Sequence, residues 1–319
     1  MEHVSCNLCH SDSYTLLFTL KDSLSLTDEE FRLVSCKQCG LVYLNPRPSL
    51  EQLDAFYPKH YWWQPAQTTG GVFLKIAKEL EERWRNYLLS AEVNLLKKML
   101  KERSKILDVG CGGGDILYMY KKAGFQAYGV ELSPEASRNA RVKYGLNVFQ
   151  GSLTEAGFEP DYFDAITFYH AVEHLKDPLL VLKKTYSLIK DTGIVMIQIP
   201  NIDSFQFKLF KKHWFGLSVP QHFYHFSPQT IKELLEKTNF KILNIRHISI
   251  RCNPAIFVSS LIPRLNPHRF LIEESKGKNQ AIAKMIYFIL VLMFTPWTLL
   301  ESILRQGAVI TVFAQKRIS

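Results

Sequence analysis

The sequence predicts an α/β protein built on a doubly wound, mostly parallel seven-stranded sheet. A small four-cysteine module precedes the sheet, and an apolar helical insertion interrupts it before the last strand. Three observations carry this prediction. Apolar runs and helix-period segments alternate from Lys105 onward. The first apolar run ends in a glycine cluster, Gly110-Cys-Gly-Gly-Gly-Asp115, and the second ends in Glu131. Two Cys-x-x-Cys pairs, Cys6/Cys9 and Cys36/Cys39, stand near the N-terminus.

With 319 residues the chain can bury a large core in more than one domain. Residues 1–48 read as a zinc-ribbon-like module and 49–103 as a linker with a long helix. The sheet domain follows over 104–319, with the insertion at 251–305. Met1-Glu-His-Val-Ser-Cys6 has neither a basic start nor an apolar core, so no secretory signal and a cytoplasmic location are expected. Paired cysteine spacing favours metal binding in a reducing compartment over a disulfide framework. After residue 240 there are eleven Lys and Arg and three Asp and Glu, which accounts for +8 of the net +9. This basic excess surrounds the most apolar segment. That pairing suggests an anionic membrane surface more than a nucleic-acid groove.

Each cysteine pair can form a tight knuckle, and two knuckles close a tetrahedral zinc site with no open position. Zn2+ held by Cys6, Cys9, Cys36 and Cys39 would therefore be structural rather than catalytic. Phe31–Cys36 and Leu41–Leu44 alternate as strands around the second knuckle. Residues 49–56 suggest a short helix. The aromatic run Phe56–Trp63 reads equally as packing between domains or as a flap. Residues 72–102 form one amphipathic helix, with Val72, Ile76, Leu80, Trp84, Leu88, Ala91, Leu95 and Met99 on its apolar stripe. Strands are expected at 105–109, 126–131, 147–150, 162–168, 193–199, 240–248 and 308–315. Helices are expected near 115–123, 134–144, 178–190 and 227–238. Ser227-Pro228 is a good helix start.

The insertion contains Ala255–Ile262 between two prolines and the uncharged stretch Met285–Leu300. The latter is marginal for a membrane span. If 308–315 returns to the soluble sheet, a single crossing would strand it on the wrong side. The segment is therefore read as an interfacial or re-entrant element with basic residues at headgroups. A buried helix packing on the domain is the alternative.

The glycine cluster gives the backbone a sharp turn and a close approach to a ligand. Glu131 lies about 20 residues on, where a carboxylate accepts ribose hydroxyls. Asp115 stands where a dinucleotide fingerprint has its third glycine, and Asp108 adds a second acid. These acids would repel a pyrophosphate but suit a sulfonium-bearing amino acid nucleoside.

Ile106–Gly114, Gly129–Ser133, Gly151–Leu153 and Phe163–Pro178 together resemble the successive motifs of class I S-adenosylmethionine (SAM)-dependent methyltransferases. Within these the chain is similar to the small-molecule branch that includes the ubiquinone-type O-methyltransferases. The resemblance covers roughly residues 104–250 and the last strand. It implies that Asp108, Gly110, Cys111 and Gly112 line the methionine part of SAM and that Glu131 holds the ribose. It places Leu132, Ser152 and Leu153 at the adenine, and Tyr169 and His170 near the sulfonium. Ser152 stands where the family more often has Asp. The resemblance also implies an acceptor among sugars or lipid-linked glycans of cell-surface polysaccharide synthesis. An RNA methyltransferase gripping its substrate through the zinc module is an alternative, and a non-catalytic SAM-fold binding protein is another. The near-neutral first 240 residues disfavour nucleic acid.

If the acceptor is a hydroxyl, a histidine near neutral pKa suits the base. His170 and His222 are the candidates. His170-Ala-Val-Glu-His174 also spells a zinc-peptidase pattern, which requires a helix carrying both histidines. Glu173 and His174 either brace the loop or hold a divalent ion. His222 and His225 fall on the loop before the helix at 227–238, near the sheet's carboxyl edge.

Overall fold

Alternation around the cysteine knuckles produces β1 (Tyr14–Lys21), β2 (Glu30–Cys36) and β3 (Val42–Leu44), followed by α1 (Leu50–Leu53). The computed structural model describes residues 1–56, 72–266 and 278–317. Phe56 is buried and meets Phe31 edge-on at 5.4 Å. The rest of the aromatic run, 57–63, lies outside the described residues. The long helix is α2 (Val72–Lys97). Then come β4 (Lys105–Val109), α3 (Asp115–Lys122), β5 (Gln126–Glu131), α4 (Pro134–Tyr144), β6 (Asn147–Gln150) and β7 (Phe163–Tyr169). They are followed by α5 (Pro178–Leu188), β8 (Ile189–Pro200), α6 (Phe205–Phe210), β9 (Tyr224–His225) and α7 (Pro228–Lys237). The described chain closes with β10 (Phe240–Arg246), α8 (Cys252–Leu261), α9 (Lys278–Ile303) and β11 (Val309–Lys316).

The expected seven-stranded α/β sheet is present, in the order β10-β11-β8-β7-β4-β5-β6, beside a four-stranded sheet β1-β2-β3-β9. Pairing is parallel among β7, β4, β5 and β6 and antiparallel between β10 and β11. β8 starts at Ile189 rather than 193, because the chain turns out of α5 directly into the strand.

Two compact units divide the chain. One comprises Trp62–Tyr169 and Ser187–Val195, and the other Met1–Tyr61, His170–Tyr186 and Met196–Ser319. In the first, Ile106, Leu107, Val130, Val148, Ala165, Ile166 and Phe168 are buried. They read as continuous apolar runs because parallel strands are covered on both faces. Among the described side chains of α2, Leu89, Glu92, Val93 and Leu96 are buried and Trp84 is exposed, so the stripe over 89–96 is turned from the expected one, and the helix ends at Lys97 rather than 102, leaving Met99 exposed beyond it. Both registers satisfy helical spacing, and the buried Glu92 hides the phase over 89–96.

In the other unit, α7 begins as expected. Ser227 Oγ accepts from Thr230 N, Thr230 answers with a reciprocal bond, and Pro228 stands in the first turn. The insertion splits into two helices of opposite character. α8 buries Asn253, Pro254 and five further residues, so the apolar stretch from Ala255 to Ser260 is helical and packed within its unit rather than an interfacial element. Asn253 fixes it by donating to His247 O and Ser302 Oγ and accepting from Val309 N. Almost none of the apolar stretch of α9 is buried. Ile282, Met285, Ile289, Leu292, Met293 and Ile303 stand open. Between α8 and α9 lies an open cleft of about 540 Å³ lined by Phe257, Met293, Phe294, Pro296, Trp297 and Leu300.

Candidate active site

β4 carries Asp108 into the sheet, where it is fully buried. Parallel pairing places Thr167 of β7 opposite it. Thr167 Oγ1 donates to Asp108 Oδ1 at 2.7 Å, while Asp108 Oδ2 has no partner among the described residues. Burial pushes the carboxyl up to about 7, with Thr167 opposing and Glu131 adding to the rise. The next residues turn sharply, with Gly110, Gly112 and Gly114 at φ of 73°, 54° and 86°. A Cβ at Gly114 would strike Leu146 at 2.6 Å and Ala140 at 2.9 Å, so that glycine serves packing against α4. A Cβ at Gly112 would meet nothing within 4 Å, so the turn leaves open space there.

Glu131 ties the tip of β5 to this turn. Its two oxygens accept from Gly112 N and Ser133 N, each at 2.8 Å. Burial raises its pKa, and the backbone N–H groups of Ser133, Gly112 and Leu132 counter that rise. Each oxygen keeps a second lone pair for a hydroxyl donor. Leu132 is 64% exposed beside it. Ser152 is engaged with Glu155, its hydroxyl donating at 2.7 Å, and the Leu153 side chain is buried. Cys111 is buried, and its thiol is pushed well up by burial with Asp108 and Glu131 nearby. Asp115 accepts from Tyr144 Oη and so braces α3 against α4. A buried acid with one oxygen left open, an open glycine cradle and a carboxylate at the second strand tip fit a cationic nucleoside such as SAM. A Glu131→Ala chain should bind SAM about 30- to 1,000-fold more weakly by calorimetry, given about 2–4 kcal/mol for charge-assisted hydrogen bonds and two unpaired N–H groups. Wild-type affinity would remove Glu131 from the cofactor site.

The other unit holds two clusters of polar donors. Cys6, Cys9, Cys36 and Cys39 bring their sulfurs within 4.8 Å of one another, with Cys6–Cys39 at 3.5 Å and Cys9–Cys36 at 3.4 Å. Left-handed turns at His10 and Gly40 close the two knuckles, through His10 N donating to Cys6 O and Gly40 N to Cys36 O. Burial raises the Cys6 thiol to about 11 and pushes Cys39 up further. Four clustered thiolates repel one another, and a dication removes that cost.

The second cluster is Glu173, His174 and His222, whose donor atoms also lie within 4.8 Å and could hold a divalent cation. His174 Nδ1 lies 2.8 Å from Gln221 O and His222 Nδ1 lies 3.1 Å from Gly216 O. Burial depresses both imidazoles, His222 the more, since His174 and His225 face it. His225 is buried with Nε2 on Leu217 O, which makes it structural. His170 stands directly after β7 with φ at 52°, and residues 172–174 form a single 3-10 turn. The two histidines of the peptidase-like pattern therefore share no helix. His170 Nδ1 lies 3.3 Å from Glu173 Oε1, and its Nε2 lies 3.6 Å from Cys252 Sγ. Thr167 and Cys252 were not expected from the sequence, whereas Glu173 stood there as a loop brace or an ion ligand. Thr167 was accessible in principle, because pairing β4 with β7 aligns it with Asp108.

A doubly wound sheet with a glycine turn, a buried strand-end acid and an acid at the next strand tip defines a nucleoside-dependent transferase class. The chain matches a methyltransferase-domain family over residues 81–245 and belongs to that family. That domain is of the class I SAM-dependent methyltransferase type. It is 31% identical over 107 residues to the ubiquinone biosynthesis O-methyltransferase of Xanthomonas campestris, covering 31% of this chain and 44% of that protein. The enzyme of the same description from Haemophilus ducreyi is 28% identical over 152 residues, covering 44% and 60%. The chain thus spans about half the length of the curated relatives it matches. A solved SAM-dependent methyltransferase from Archaeoglobus fulgidus is 21% identical, covering 75% of this chain and 99% of that one at a TM-score of 0.48.

Proposed function

We propose that the protein methylates a hydroxyl of a lipid-linked sugar or similar amphiphile at an anionic membrane surface. The observation that carries this acceptor class is the exposed apolar face of α9 with the apolar cleft beside it. Such a cleft accepts an acyl or prenyl chain. A surface position for α9 rather than a crossing is supported by α8 and β11, which flank it in the chain and belong to one compact unit. Basic residues outside the helix, among them Arg251, Arg264 and Arg305, supply attraction to headgroups.

SAM, when bound, supplies a methyl group activated by its sulfonium. Asp108 with Gly110, Cys111 and Gly112 hold the methionine part, and Glu131 holds the ribose. Leu132, Ser152 and Leu153 flank the adenine, and Tyr169 stands at the end of β7 toward the reacting centre. Cys6, Cys9, Cys36 and Cys39 would hold Zn2+, which would supply a structural cross-link between the N-terminal knuckles. His222 takes the acceptor's proton. Its depressed pKa keeps the imidazole neutral, whereas both ring nitrogens of His170 face other side chains. His222→Ala should lower kcat about 100-fold or more while SAM affinity holds within about twofold. An unchanged kcat would end the base assignment.

The acceptor is tested by incubating the full chain and labelled SAM with polyprenyl-glycan, nucleotide-sugar and RNA pools, with and without anionic vesicles. Label is expected in the lipid-extractable glycan and should rise with vesicles. Label confined to RNA or to nucleotide sugar would overturn the reading.

A further inference from the structure

We propose that Cys252 is a nucleophilic thiol, set up by His170 and Glu173, that reacts with electrophiles of the hydroperoxide class. The three side chains form successive contacts: Cys252 Sγ at 3.6 Å from His170 Nε2, and His170 Nδ1 at 3.3 Å from Glu173 Oε1. A buried carboxylate behind an imidazole behind a thiol orients the ring and favours the thiolate–imidazolium pair. Glu173 is 1% exposed, whereas the His170 side chain is 26% exposed and Cys252 is partly exposed. The pair therefore has a solvent side and an anchored side.

The backbone holds this arrangement. His170 adopts a left-handed conformation, and its N–H donates to Gln198 O. Strained non-glycine residues persist where surrounding structure holds them, as at reactive sites. Cys252 opens α8, a ten-residue helix, so its sulfur lies at the positive end of the helix. Arg251 precedes it, Tyr287 interacts with Cys252, and His174 and His222 face His170.

The surroundings also narrow the chemistry. Acyl transfer needs N–H donors for an oxyanion. Here Cys252 N donates to Ser249 Oγ, Asn253 N donates to Ser249 O, and Pro254 has no N–H. The first turn of α8 thus has no donor pair left for a tetrahedral intermediate. Direct displacement at a soft centre needs none. The thiolate attacks the terminal oxygen of a hydroperoxide, an S–O bond forms and the O–O bond breaks. Sulfur is oxidised by two electrons to a sulfenic acid. The leaving oxygen takes the proton from His170 Nε2 and departs as water or alcohol. The other cysteines differ: Cys111 is buried with a raised pKa, and four form the N-terminal cluster. This site is independent of the acceptor proposed above.

The test uses the full chain with its metal content intact. Brief iodoacetamide pulses from pH 5.5 to 9 are followed by denaturation and peptide mass spectrometry. Cys252 should label with a midpoint below the ordinary thiol value of about 8.5, and Cys111 should not. At pH 6.5 the rate should fall at least about tenfold in His170→Gln. A stoichiometric hydrogen peroxide pulse with dimedone should then place an adduct on Cys252. Cys252 silent until denaturation, a midpoint at or above 8.5 in the wild-type chain, or an unchanged rate in a folded His170→Gln would each overturn the proposal. Alkylation at low pH without a dimedone adduct would overturn the hydroperoxide class.

Discussion

Asp108→Asn should make the cofactor-free protein more stable above pH 7 while removing most of its affinity for SAM. Asp108 has an ordinary carboxyl value of 3.8 when unfolded and is pushed up to about 7 by burial. The folded state therefore holds a proton that the unfolded state releases between these values. Stability declines as pH rises through that window, by about 4 kcal/mol in total as an order of magnitude. Asparagine does not titrate. The variant should match the wild type near pH 4 and exceed its thermal midpoint by several degrees at pH 8. SAM affinity should fall about 100-fold or more, since a cationic ligand loses its buried counter-charge. In the wild type, affinity should strengthen as pH rises through 7. Scanning calorimetry at pH 4 and 8 with a SAM titration checks both halves. A variant less stable than wild type at pH 8 would show that Asp108 is not a strained charge.

The second large effect concerns the cysteine knuckles. Cys36→Ser should abolish about one equivalent of bound zinc and destabilise the N-terminal strands. Structural zinc contributes on the order of 10 kcal/mol in small peptides, and less where other contacts hold the fold. Here Arg47 supplies some of those contacts. It bonds Glu2, Lys176 O and Tyr224 Oη. We expect limited trypsin to cut before residue 48 in the variant or after strong chelation, at rates at least about tenfold above the wild type. Elemental analysis finding no metal in protein grown with ample zinc would refute the site.

Much of the cofactor cradle was legible because its logic is local. Gly110–Gly114 and Glu131 announce a turn and an acid within one strand-turn-helix-strand unit, and the knuckles announce themselves by spacing. Other features were hidden for physical reasons. Hydropathy could not separate α8 from α9, since both are apolar and only packing reveals which is buried. Cys252 and His170 stand 82 residues apart. Each taken alone is bland, and only the tertiary fold joins them. Strand β9 has two residues, too short for any period to register.

That two-residue strand bears on the order in which the chain assembles. It completes the first sheet by pairing Val42 with His225 and Tyr43 with Tyr224, while Leu44 N donates to Phe223 O. A nascent chain can gather its four thiols as soon as residue 39 leaves the ribosome, yet the edge of β3 stays uncapped until residue 225 is made. An unpaired edge invites association with other chains. Early closure of the knuckles followed by late closure of this edge leaves β3 open to such association for the interval of synthesis between them.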